Sequence, residues 1–577
     1  MGGMTGAQVT VQILKNLGVK LVVGYVGHSN QEYADTLYNT PGIRTFNSRM
    51  EMTGCFIAEG YNRIVGKPEA ACIFHSNGAA SCIYPVANAW FDSVPLVLIA
   101  GSIHSAHKGR GALQETPLAE IFRPFTKWAI KVERGDMIPF ALENAFRIAS
   151  TGRPRPVLVE IPYDLSIEEQ EAEPTSPAKA VQYIGGMMAG GGDPEQIKKA
   201  GDLLIKAERP AILAGGGVVI SNAHSEILEL SECVGAPVAT SAMAKGCMAD
   251  DHPLGLGPCG VTGWKIANDV LTDRADVVLA CGYRFSEWGI AQQYFYFRPK
   301  FKMIHVDIDP EEIGRNFSVN VGISGNAKSV LRQIIDYIKA KMPHRQYEDT
   351  NWYKEIKPMK EKWMDGMRDR FSASTKPVSP YRVMGDMRDV LDRDAILVTD
   401  CGNHQVFSIG SFLTYKPKTF VTPGGYGAMG FGVPAAIGAK LAKPDCQVVV
   451  VQGDGGFHFN FQELAVAVKE KIPIVVCVFN DGFLNANRQL QKKSYGGRYM
   501  WVELNNPDFV KLAKAFGMKA SRVVDPDDFR PALEKALGSN EPYLLDISID
   551  NEIMAPQHFS GSTMDFRKWP PHPCPAD

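Results

Sequence analysis

Apolar, β-branched runs recur along the chain and alternate with segments of helical spacing. Near the N-terminus, KLVVGYV, AACIFHS, PLVLIAGS and PVLVEIP alternate with helical segments such as GAQVTVQILKNLG. Runs this continuous are typical of strands buried on both faces, and strands that alternate with helices predict a parallel sheet. Residues 1–168 are therefore predicted to form one α/β domain.

The same pattern occurs twice more. PAILAGGGVVI, ADVVLACGYRF and KMIHVDIDP lie in residues 190–342, and AILVTDCGNH, CQVVVVQGDGG, PIVVCVFND and PYLLDISID lie in residues 375–550. A Pro- and Gly-rich stretch separates the first two blocks, and a stretch rich in charged residues and methionine separates the last two. We predict an α/β fold class with three consecutive doubly wound parallel-sheet domains, the central one Rossmann-like, followed by a C-terminal tail at residues 551–577.

Composition narrows the class of protein. The 577 residues carry a net charge of −2 and are 45% apolar, which gives no electrostatic reason to expect nucleic acid or an acidic membrane as a partner. No uncharged apolar run of about 18 residues is present, and the N-terminus has no basic region before an apolar core. The eleven cysteines show no CxxC or other metal-type spacing. We therefore expect a cytoplasmic protein with reduced thiols that acts on small molecules and binds no membrane.

A carboxylate ends the longest valine run, where VVVVQG is followed by Asp454. The glycines around it allow a ligand to approach the backbone at the carboxyl end of a strand. Because a carboxylate repels phosphate, Asp454 indicates either an ordinary turn or a metal ion placed between it and a phosphate. The glycines concerned are Gly453, Gly455 and Gly456.

A helix and a second buried strand follow Asp454 and end at Asn480. A right-handed crossover brings the carboxyl ends of the two strands to the same edge of the sheet, so Asp454 and Asn480 are predicted to be neighbours. With the backbone carbonyl of Gly482 they would offer three oxygen ligands, which suit Mg²⁺ or Ca²⁺ sharing its shell with phosphate. A simple turn at residues 480–482 remains the alternative.

The sequence GDGGF, with the helix and the VFND that follow it, resembles the cofactor-metal signature of the thiamine-diphosphate enzymes. The resemblance implies that Asp454, Asn480 and Gly482 hold Mg²⁺ on the cofactor diphosphate. GGYGAMGFGVPAAIGAKLA is similar to the family's segment beside the thiazolium ring, where Met429 would bend the cofactor, and GNHQ matches a loop that approaches the diphosphate. The implied cofactor-binding residues are Gly402, Asn403, His404, Gly427, Met429, Gly453, Asp454, Gly455, Gly456, Asn480 and Gly482.

Glu51 lies on a predicted helix among apolar neighbours, in SRMEMTGCFIAEGYNRIVG. Burial would favour a protonated carboxyl, which can donate a hydrogen bond to a ring nitrogen. Glu51 resembles the family's proton-relay glutamate, which exchanges a proton with the aminopyrimidine of the cofactor. In that family the first, pyrimidine-binding domain of one subunit faces the third, diphosphate-binding domain of another. The resemblance therefore implies a homodimer or homotetramer with active sites at the subunit interface.

The stretches GALQETPLAEIFRPFTKWA and PRPVLVEIPYDL are similar to the acetolactate synthase branch of this family, where Gln114 would approach the active site. Within the family, VVGYVGHSN, GWKIAND and GYRFSEWGIAQQY most resemble the cyclohexane-1,2-dione hydrolases. His28, His75 and Asn487 match active-site residues there, which implies catalytic roles for them. An ordinary loop glutamine and two structural histidines are the alternatives.

The chain also departs from the hydrolase pattern. Gln31 or Asn30 stands where the hydrolases have a further histidine, and Arg488 replaces a tryptophan. An additional cation beside the pocket suggests an anionic substrate or product.

The central domain resembles the region where several of these enzymes hold FAD or an ADP moiety, which Gly215 to Gly217 and Arg284 would line. No GxGxxG is present, so a Rossmann-like domain without a nucleotide is the alternative.

The preferred function is thiamine-diphosphate- and Mg²⁺-dependent cleavage or ligation of a carbon–carbon bond in a 1,2-diketone or 2-oxo acid, as in the cyclohexane-1,2-dione hydrolases. Acetolactate synthase or 2-hydroxyacyl-CoA lyase activity is the alternative within enzymes. A catalytically silent nucleotide-binding protein is the alternative outside them.

Overall fold

The computed structural model describes residues 3–170, 174, 190–290, 301–343 and 346–555. Within these residues the chain forms three six-stranded sheets, and every strand pairing in them is parallel. Each sheet carries helices on both faces, which confirms the predicted α/β class with three consecutive domains. Most of the predicted tail, residues 556–577, lies outside the described residues, as does part of the GYRFSEWGIAQQY stretch.

The first sheet has the strand order β3-β2-β4-β5-β7-β6, and the short strands β1 and β8 form a separate antiparallel pair. Its helices are Gly6–Asn16, Gln31–Tyr38, Glu51–Val65, Ser76–Ala80, Ile83–Asp92, Leu118–Phe122, Ile138–Ser150 and Tyr163–Ile167. The strands are β1 (Met4–Thr5), β2 (Leu21–Tyr25), β3 (Arg44–Asn47), β4 (Ala70–His75), β5 (Val97–Ser102), β6 (Trp128–Lys131), β7 (Val157–Pro162) and β8 (Glu169–Gln170).

The central sheet has the order β11-β10-β9-β12-β13-β14, which is the strand order of a Rossmann fold. Its strands are β9 (Pro210–Ala214), β10 (Val238–Thr240), β11 (Gly255–Pro258), β12 (Val277–Cys281), β13 (Lys302–Asp307) and β14 (Val321–Ser324). Its helices are Pro194–Lys206, Gly216–Ile220, His224–Val234, Lys265–Asp269, a π-helical turn at Val270–Arg274, and Ala327–Lys341. The helix Asn351–Phe371 leads to the third domain.

The third sheet has the order β16-β15-β17-β18-β20-β19. Its strands are β15 (Ile396–Thr399), β16 (Phe420–Val421), β17 (Val448–Gly453), β18 (Val475–Asn480), β19 (Lys519–Val523) and β20 (Tyr543–Ser548). Its helices are Pro380–Val390, Asn403–Ser411, Gly432–Ala442, Asp454–Phe457, Leu464–Lys469, Asn485–Ser494, Phe509–Ala515 and Pro526–Gly538.

The first and third domains have the same topology although their sequences are not repeats. Counted within each domain, both sheets run 2-1-3-4-6-5. The chain direction across the sheet reverses between strands 1 and 3, which are β2 and β4 in one domain and β15 and β17 in the other. Ligands of open α/β sheets bind outside the carboxyl ends of the strands at such a switch point.

Both faces of each sheet are buried, which explains the continuous apolar runs. In β4, Cys72 and Phe74 face one hydrophobic core while Ala71 and Ile73 face another. The valine run of β17 divides in the same way between two cores. One of these cores is shared, because it contains residues from the first and the third sheets. The two domains are therefore packed against one another through a continuous apolar layer.

Two helices at the centre of this shared core approach closely. Glu51–Val65 packs on Gly432–Ala442, and a Cβ placed on Gly60 would lie 2.3 Å from the carbonyl oxygen of Ala435. A Cβ on Gly438 would lie 2.0 Å from the carbonyl oxygen of Ile57. Real side chains do not make such contacts, so glycine is required at both positions. These glycines set the distance between the first and third domains.

Gly438→Ala is expected to destabilise the protein. The methyl group would collide with the backbone of the neighbouring helix, and overpacking of this kind costs about 1–3 kcal/mol, more than the gain in helix propensity. Scanning calorimetry should show a lower unfolding midpoint, by roughly 2–4 °C per kcal/mol. Gly366→Ala is the control, because Gly366 lies exposed in a helix with no atom near its Cβ position. An unchanged midpoint in Gly438→Ala would contradict the packing argument.

Candidate cofactor and catalytic site

Asp454 begins the turn of helix that follows β17, and backbone groups hold its carboxylate. Its Oδ2 accepts hydrogen bonds from the N–H groups of Gly482 at 2.7 Å and Asp481 at 3.2 Å, and its Oδ1 accepts from Gly455 N at 2.9 Å. The side chain is buried, and burial raises the pKa of Asp454 while hydrogen bonds from Asn506 and the backbone oppose that shift. The carboxylate is therefore fixed in one orientation at the strand end.

Asn480 ends the neighbouring strand β18, at the sheet edge predicted from the crossover. Its Nδ2 donates to Asp546 Oδ1 at 2.9 Å, so its Oδ1 points away from Asp546. Asn506 joins the two strand ends, because its Nδ2 donates to Asp454 Oδ2 at 2.8 Å and to Asn480 Oδ1 at 3.0 Å. Both partners are acceptors, which requires the nitrogen of Asn506 to face them. His458 Nε2 lies 3.0 Å from Asn506 Oδ1 and holds the amide in this orientation.

Gly482 has a positive φ of 77°, and its carbonyl, the third predicted metal ligand, accepts a hydrogen bond from Leu504 N at 2.9 Å. A carbonyl oxygen has a second lone pair, so this bond does not exclude a metal.

His404 lies at the switch point between β15 and β17. Gly402, with φ 145°, precedes it, and the imidazole packs so closely that a Cβ on Gly453 would lie 3.0 Å from its Nδ1. Burial lowers the pKa of His404 to about 3, so the ring is neutral at physiological pH. Its Nε2 is buried and has no hydrogen-bond partner among the described residues. A buried polar atom without a partner at a strand-end crevice indicates a site that a ligand completes.

Met429 lies in a loop whose backbone is fixed by Asp400, a fully buried residue at the end of β15. The carboxylate of Asp400 accepts from the N–H groups of Cys401 at 2.6 Å, Gly430 at 2.9 Å and Gly432 at 3.4 Å. Burial raises the pKa of Asp400 to about 7, and these hydrogen bonds oppose the shift. Asp400 therefore shapes the segment that presents Met429.

A second anchor holds the start of the same segment. Arg63 Nη1 donates to the carbonyl of Thr422 at 2.9 Å, and Asp92 Oδ1 accepts from Gly425 N at 2.6 Å. The side chains of Arg63 and Asp92 are themselves paired at 2.5 Å. Both belong to the first domain, so the glycine-rich segment of the third domain is held from two sides.

A cavity of about 1280 Å³ connects these residues with the central domain. Most of the predicted cofactor-binding residues line it, and among the predicted catalytic residues Asn487 does. Asn480 and Gly482 lie beside it, at the predicted metal site. The predicted residues that line it are Gly402, Asn403, His404, Gly427, Met429, Gly453, Asp454, Gly455 and Gly456.

The remaining predicted catalytic residues lie together at the switch point of the first domain. His75 ends β4, and its Nε2 is 3.1 Å from Glu51 Oε1. His28 follows β2, and its ring contacts Tyr163 edge-on, with centroids 5.3 Å apart. Gln114, with a positive φ of 66°, lies beside them because its carbonyl accepts a hydrogen bond from Ser76 Oγ at 2.6 Å.

These two groups of residues are separated within one chain. Arg63, near the C-terminal end of the Glu51–Val65 helix, contacts Thr422 of the glycine-rich segment. Glu51 begins that helix, so it lies about 18 Å away along the axis at 1.5 Å per residue. At that end the helix contacts Glu463 instead, through Thr53 Oγ1 at 2.6 Å. The chain thus carries two separate groups of predicted site residues at opposite ends of one helix, and each group is called a half-site below.

Arg488 does not supply a free cation, so the inference of an anionic substrate from it is wrong. Its Nη2 donates to Glu552 Oε1 at 2.6 Å and its Nη1 to the carbonyl of Asn551 at 3.4 Å. Its guanidinium also lies over the rings of Phe483 and Tyr499. Arg488 therefore fastens the helix Asn485–Ser494 to the segment after β20.

Asn30 has a structural role. Its Oδ1 accepts from Gly27 N at 2.7 Å and its Nδ2 donates to the carbonyl of Tyr25 at 3.1 Å, which shapes the turn that carries His28. Gln31 begins the next helix and is exposed.

Gly215 and Gly217 line the central part of the cavity, and both pack closely on Gly282. Arg284 also lines it and donates to the carbonyl of Phe91 at 2.9 Å. Burial lowers the pKa of Arg284 to about 10.

Sequence reasoning missed two residues of the site. Asp400 ends an apolar strand as Asp454 does, and the same signal could have found it. Asn506 gives no such signal, because it lies in a loop 26 residues beyond Asn480 and reaches the site only through the fold.

Comparisons with known proteins show the family of the chain. Models of the N-terminal, central and C-terminal domains of thiamine pyrophosphate enzymes match residues 4–121, 197–334 and 400–547. A probable acetolactate synthase large subunit from Methanocaldococcus jannaschii is 39% identical over 95% of this chain and 92% of its own length. The acetolactate synthase large subunit of Haemophilus influenzae is 32% identical over 98% of both chains, and isozyme 3 of Escherichia coli is 30% identical over 97% and 98%.

The chain is a thiamine-pyrophosphate-dependent enzyme that makes or breaks carbon–carbon bonds. Within that class it belongs to the family of acetolactate synthase large subunits, which spans its three domains. The likeness does not single out the cyclohexane-1,2-dione hydrolases. No helix in the described residues is long and apolar enough to cross a membrane.

Asn506→Ala is expected to weaken Mg²⁺ binding about 10- to 100-fold, because it removes the hydrogen bonds that orient both side-chain ligands. Calorimetric titration of Mg²⁺ with thiamine diphosphate present would measure this. The Asp454→Ala variant sets the lower limit of Mg²⁺ affinity, because it should show no metal-dependent binding. Asn505→Ala is the matched control, because the neighbouring Asn505 is exposed and makes no hydrogen bond in the described residues. Equal affinities in the two asparagine variants would show that Asn506 does not orient the ligands.

Proposed function

We propose that the protein joins two 2-oxo acid molecules with loss of carbon dioxide, as an acetolactate synthase does, using thiamine diphosphate and Mg²⁺. The main observation behind this proposal is the convergence of Asp454, Asn480 and His404 at the edge of one sheet, beside Met429. The names of the relatives support the 2-oxo acid substrate. Native mass spectrometry with a pyruvate-consumption assay would test both the cofactor and the reaction.

The residues present fit the cofactor and its metal. Asp454, Asn480 and the carbonyl of Gly482 are oxygen ligands of the kind Mg²⁺ prefers. His404 offers a neutral, buried Nε2 without a partner in the described chain, which suits a phosphate or ring contact. When bound, thiamine diphosphate supplies the carbanion chemistry that breaks or forms a bond next to a carbonyl.

The protein's own part is to hold the cofactor and to move protons. Glu51 is buried at the first-domain half-site and would hold a proton at a carboxyl oxygen for exchange with the cofactor ring. His28, whose ring packs on Tyr163, and Asn487, exposed on the cavity-lining helix, would face substrate from the other side. Gln114 would border the same space.

The site requires two copies of the chain. Exposed apolar side chains flank both half-sites: Tyr25, Val26, Met50 and Leu113 near Glu51, and Tyr426, Phe459, Met500 and Trp501 near Asp454. Large exposed apolar side chains around a functional site are typical of an interface. We infer a homodimer, or a tetramer of two dimers, in which Glu51 of one chain faces the cavity of the other.

Hydrolysis of a 1,2-diketone is the second candidate. His28 at the first-domain switch point favours it, because protonation of a released product needs a titratable group on the substrate side. Cleavage of a 2-hydroxyacyl-CoA is the third candidate reaction.

A nucleotide such as FAD or ADP is proposed for the central domain. The cavity extends past Gly215–Gly217 and Arg284 in a sheet of Rossmann order, and its volume exceeds what thiamine diphosphate alone needs. An absorbance band of the purified protein at roughly 450 nm, where flavins absorb, would identify FAD. Its absence together with a bound adenine nucleotide would identify the ADP alternative.

Mixing two inactive variants should restore activity if the site lies between chains. Glu51→Gln and Asp454→Ala each remove one half-site, and in a mixed dimer one of the two sites receives both wild-type residues. Random exchange of subunits should therefore give about a quarter of wild-type turnover by simple C₂ statistics. As the control, each variant is taken by itself through the same subunit-exchange procedure. No recovery in verified mixed dimers would place the complete site within one chain.

His28→Ala and Asn487→Ala should leave the exchange of the cofactor's C2 hydrogen intact and change the products. The exchange depends on the cofactor and on Glu51 with its immediate contacts, whereas later protonation or ligation requires groups on the substrate side. Pyruvate, a 1,2-diketone and a 2-hydroxyacyl-CoA would be tested with the wild type and both variants. Wild-type product ratios in both variants would mean that these residues are structural.

A further inference from the structure

The contact between Glu51 and His75 is unusually constrained. His75 Nε2 lies 3.1 Å from Glu51 Oε1, and both side chains are nearly buried. The other oxygen of Glu51 makes no hydrogen bond within the described part of the chain. Each oxygen of the carboxyl group therefore has a different environment: one faces His75 and the other is left available.

Two glycines enclose the imidazole of His75. A Cβ on Gly27 would lie 2.3 Å from His75 Cγ, and a Cβ on Gly78 would lie 2.7 Å from His75 Nε2 and 2.0 Å from Glu51 Oε1. Any side chain at either position would displace the ring or separate the pair. The backbone on both sides thus fixes the plane in which the imidazole meets the carboxyl group.

The tautomer of His75 follows from its surroundings. Its Nδ1 is buried and has no hydrogen-bond partner among the residues that the structure describes. A neutral imidazole has one N–H, and an N–H at Nδ1 would be a buried donor without an acceptor. With the hydrogen on Nε2, the N–H group lies next to Glu51 Oε1, at an N···O distance of 3.1 Å.

We propose that His75 is a positioning residue for Glu51: from 3.1 Å away, its Nε2–H fixes Oε1 so that the second carboxyl oxygen is directed to the proton exchange. His75 acts through Glu51 and does not need to touch the substrate. The proposal rests on the proposed function, and it gives His75 a role different from that of a substrate-side acid. Gly78 is the residue that makes room for the pair.

A series of substitutions at His75 distinguishes the effect of an N–H donor at the position of Nε2 from the effect of side-chain volume alone. In His75→Gln the amide nitrogen reaches the position of Nε2, whereas in His75→Asn it reaches only that of Nδ1, and His75→Leu has no donor. The exchange rate of the cofactor's C2 hydrogen should fall about 10- to 100-fold in the Asn and Leu variants, less than the roughly 10²- to 10⁴-fold loss expected for Glu51→Gln. The Gln variant should recover to within about 3-fold of wild type, with cofactor affinity by calorimetry little changed in all three.

Gly78→Ala should slow the same exchange, because its methyl group would occupy the space of Glu51 Oε1. Gly366→Ala, in an exposed helix, is the control for the glycine-to-alanine change. Equal losses in the Gln and Leu variants, or no loss in any of them, would overturn the proposal.

A measurement without cofactor keeps the proposal separate from the proposed function. The measurement is an NMR spectrum of protein labelled with ¹⁵N-histidine. The signals that are present in the wild type and missing in His75→Gln belong to His75. We expect Nε2 of His75 to carry the proton. We also expect the ¹⁵N chemical shift of Nε2 to change in the Glu51→Gln variant. An Nδ1-protonated ring, or no response to Glu51→Gln, would refute the contact even if the enzyme binds thiamine diphosphate. If the contact is found but wild-type enzyme exchanges no C2 hydrogen, the proposed function fails, and the positioning role fails with it.

Discussion

The close contact between the helices Glu51–Val65 and Gly432–Ala442 is the constraint on which the rest of the site depends. Gly60 and Gly438 let the two backbones touch, and a single hydrophobic core continues through both helices to two sheets. Glu51 lies at one end of this contact and the segment beside Met429 at the other. The contact that joins the two domains thus also keeps the two groups of predicted site residues in one chain apart, which is the geometric basis for the proposed two-chain site.

The first and third domains use the same topology for different chemistry. In each, the predicted site residues follow strands 1 and 3, where the sheet order reverses. The first domain places His28 and His75 there, and the third places His404 and Asp454. Because the carboxyl ends of parallel strands meet at one edge, each domain gathers residues that are distant in sequence. In the proposed dimer, the two crevices would become one site where two domains from different chains face each other.

Burial governs the charge state of the groups at these crevices. Asp400 has a pKa raised to about 7 and His404 a pKa lowered to about 3, in both cases because the charged form loses water. Backbone N–H groups compensate the carboxylates of Asp400 and Asp454. His404 has no such compensation at Nε2 within the described chain, which is why that atom is the best indicator of a ligand.

The sequence by itself determined the three α/β domains and the edge at which Asp454 and Asn480 meet, because apolar runs on both faces of a strand require a parallel sheet and a right-handed crossover. Family resemblance added the roles expected of Glu51 and Met429. Only the tertiary structure decided that Asn506 bridges the two strand ends, that Glu552 pairs with Arg488, and that His75 lies beside Glu51. These contacts join residues that are far apart in the chain and obey no spacing rule. They depend on where a loop returns to a sheet edge and on which glycines leave room, and local sequence encodes neither.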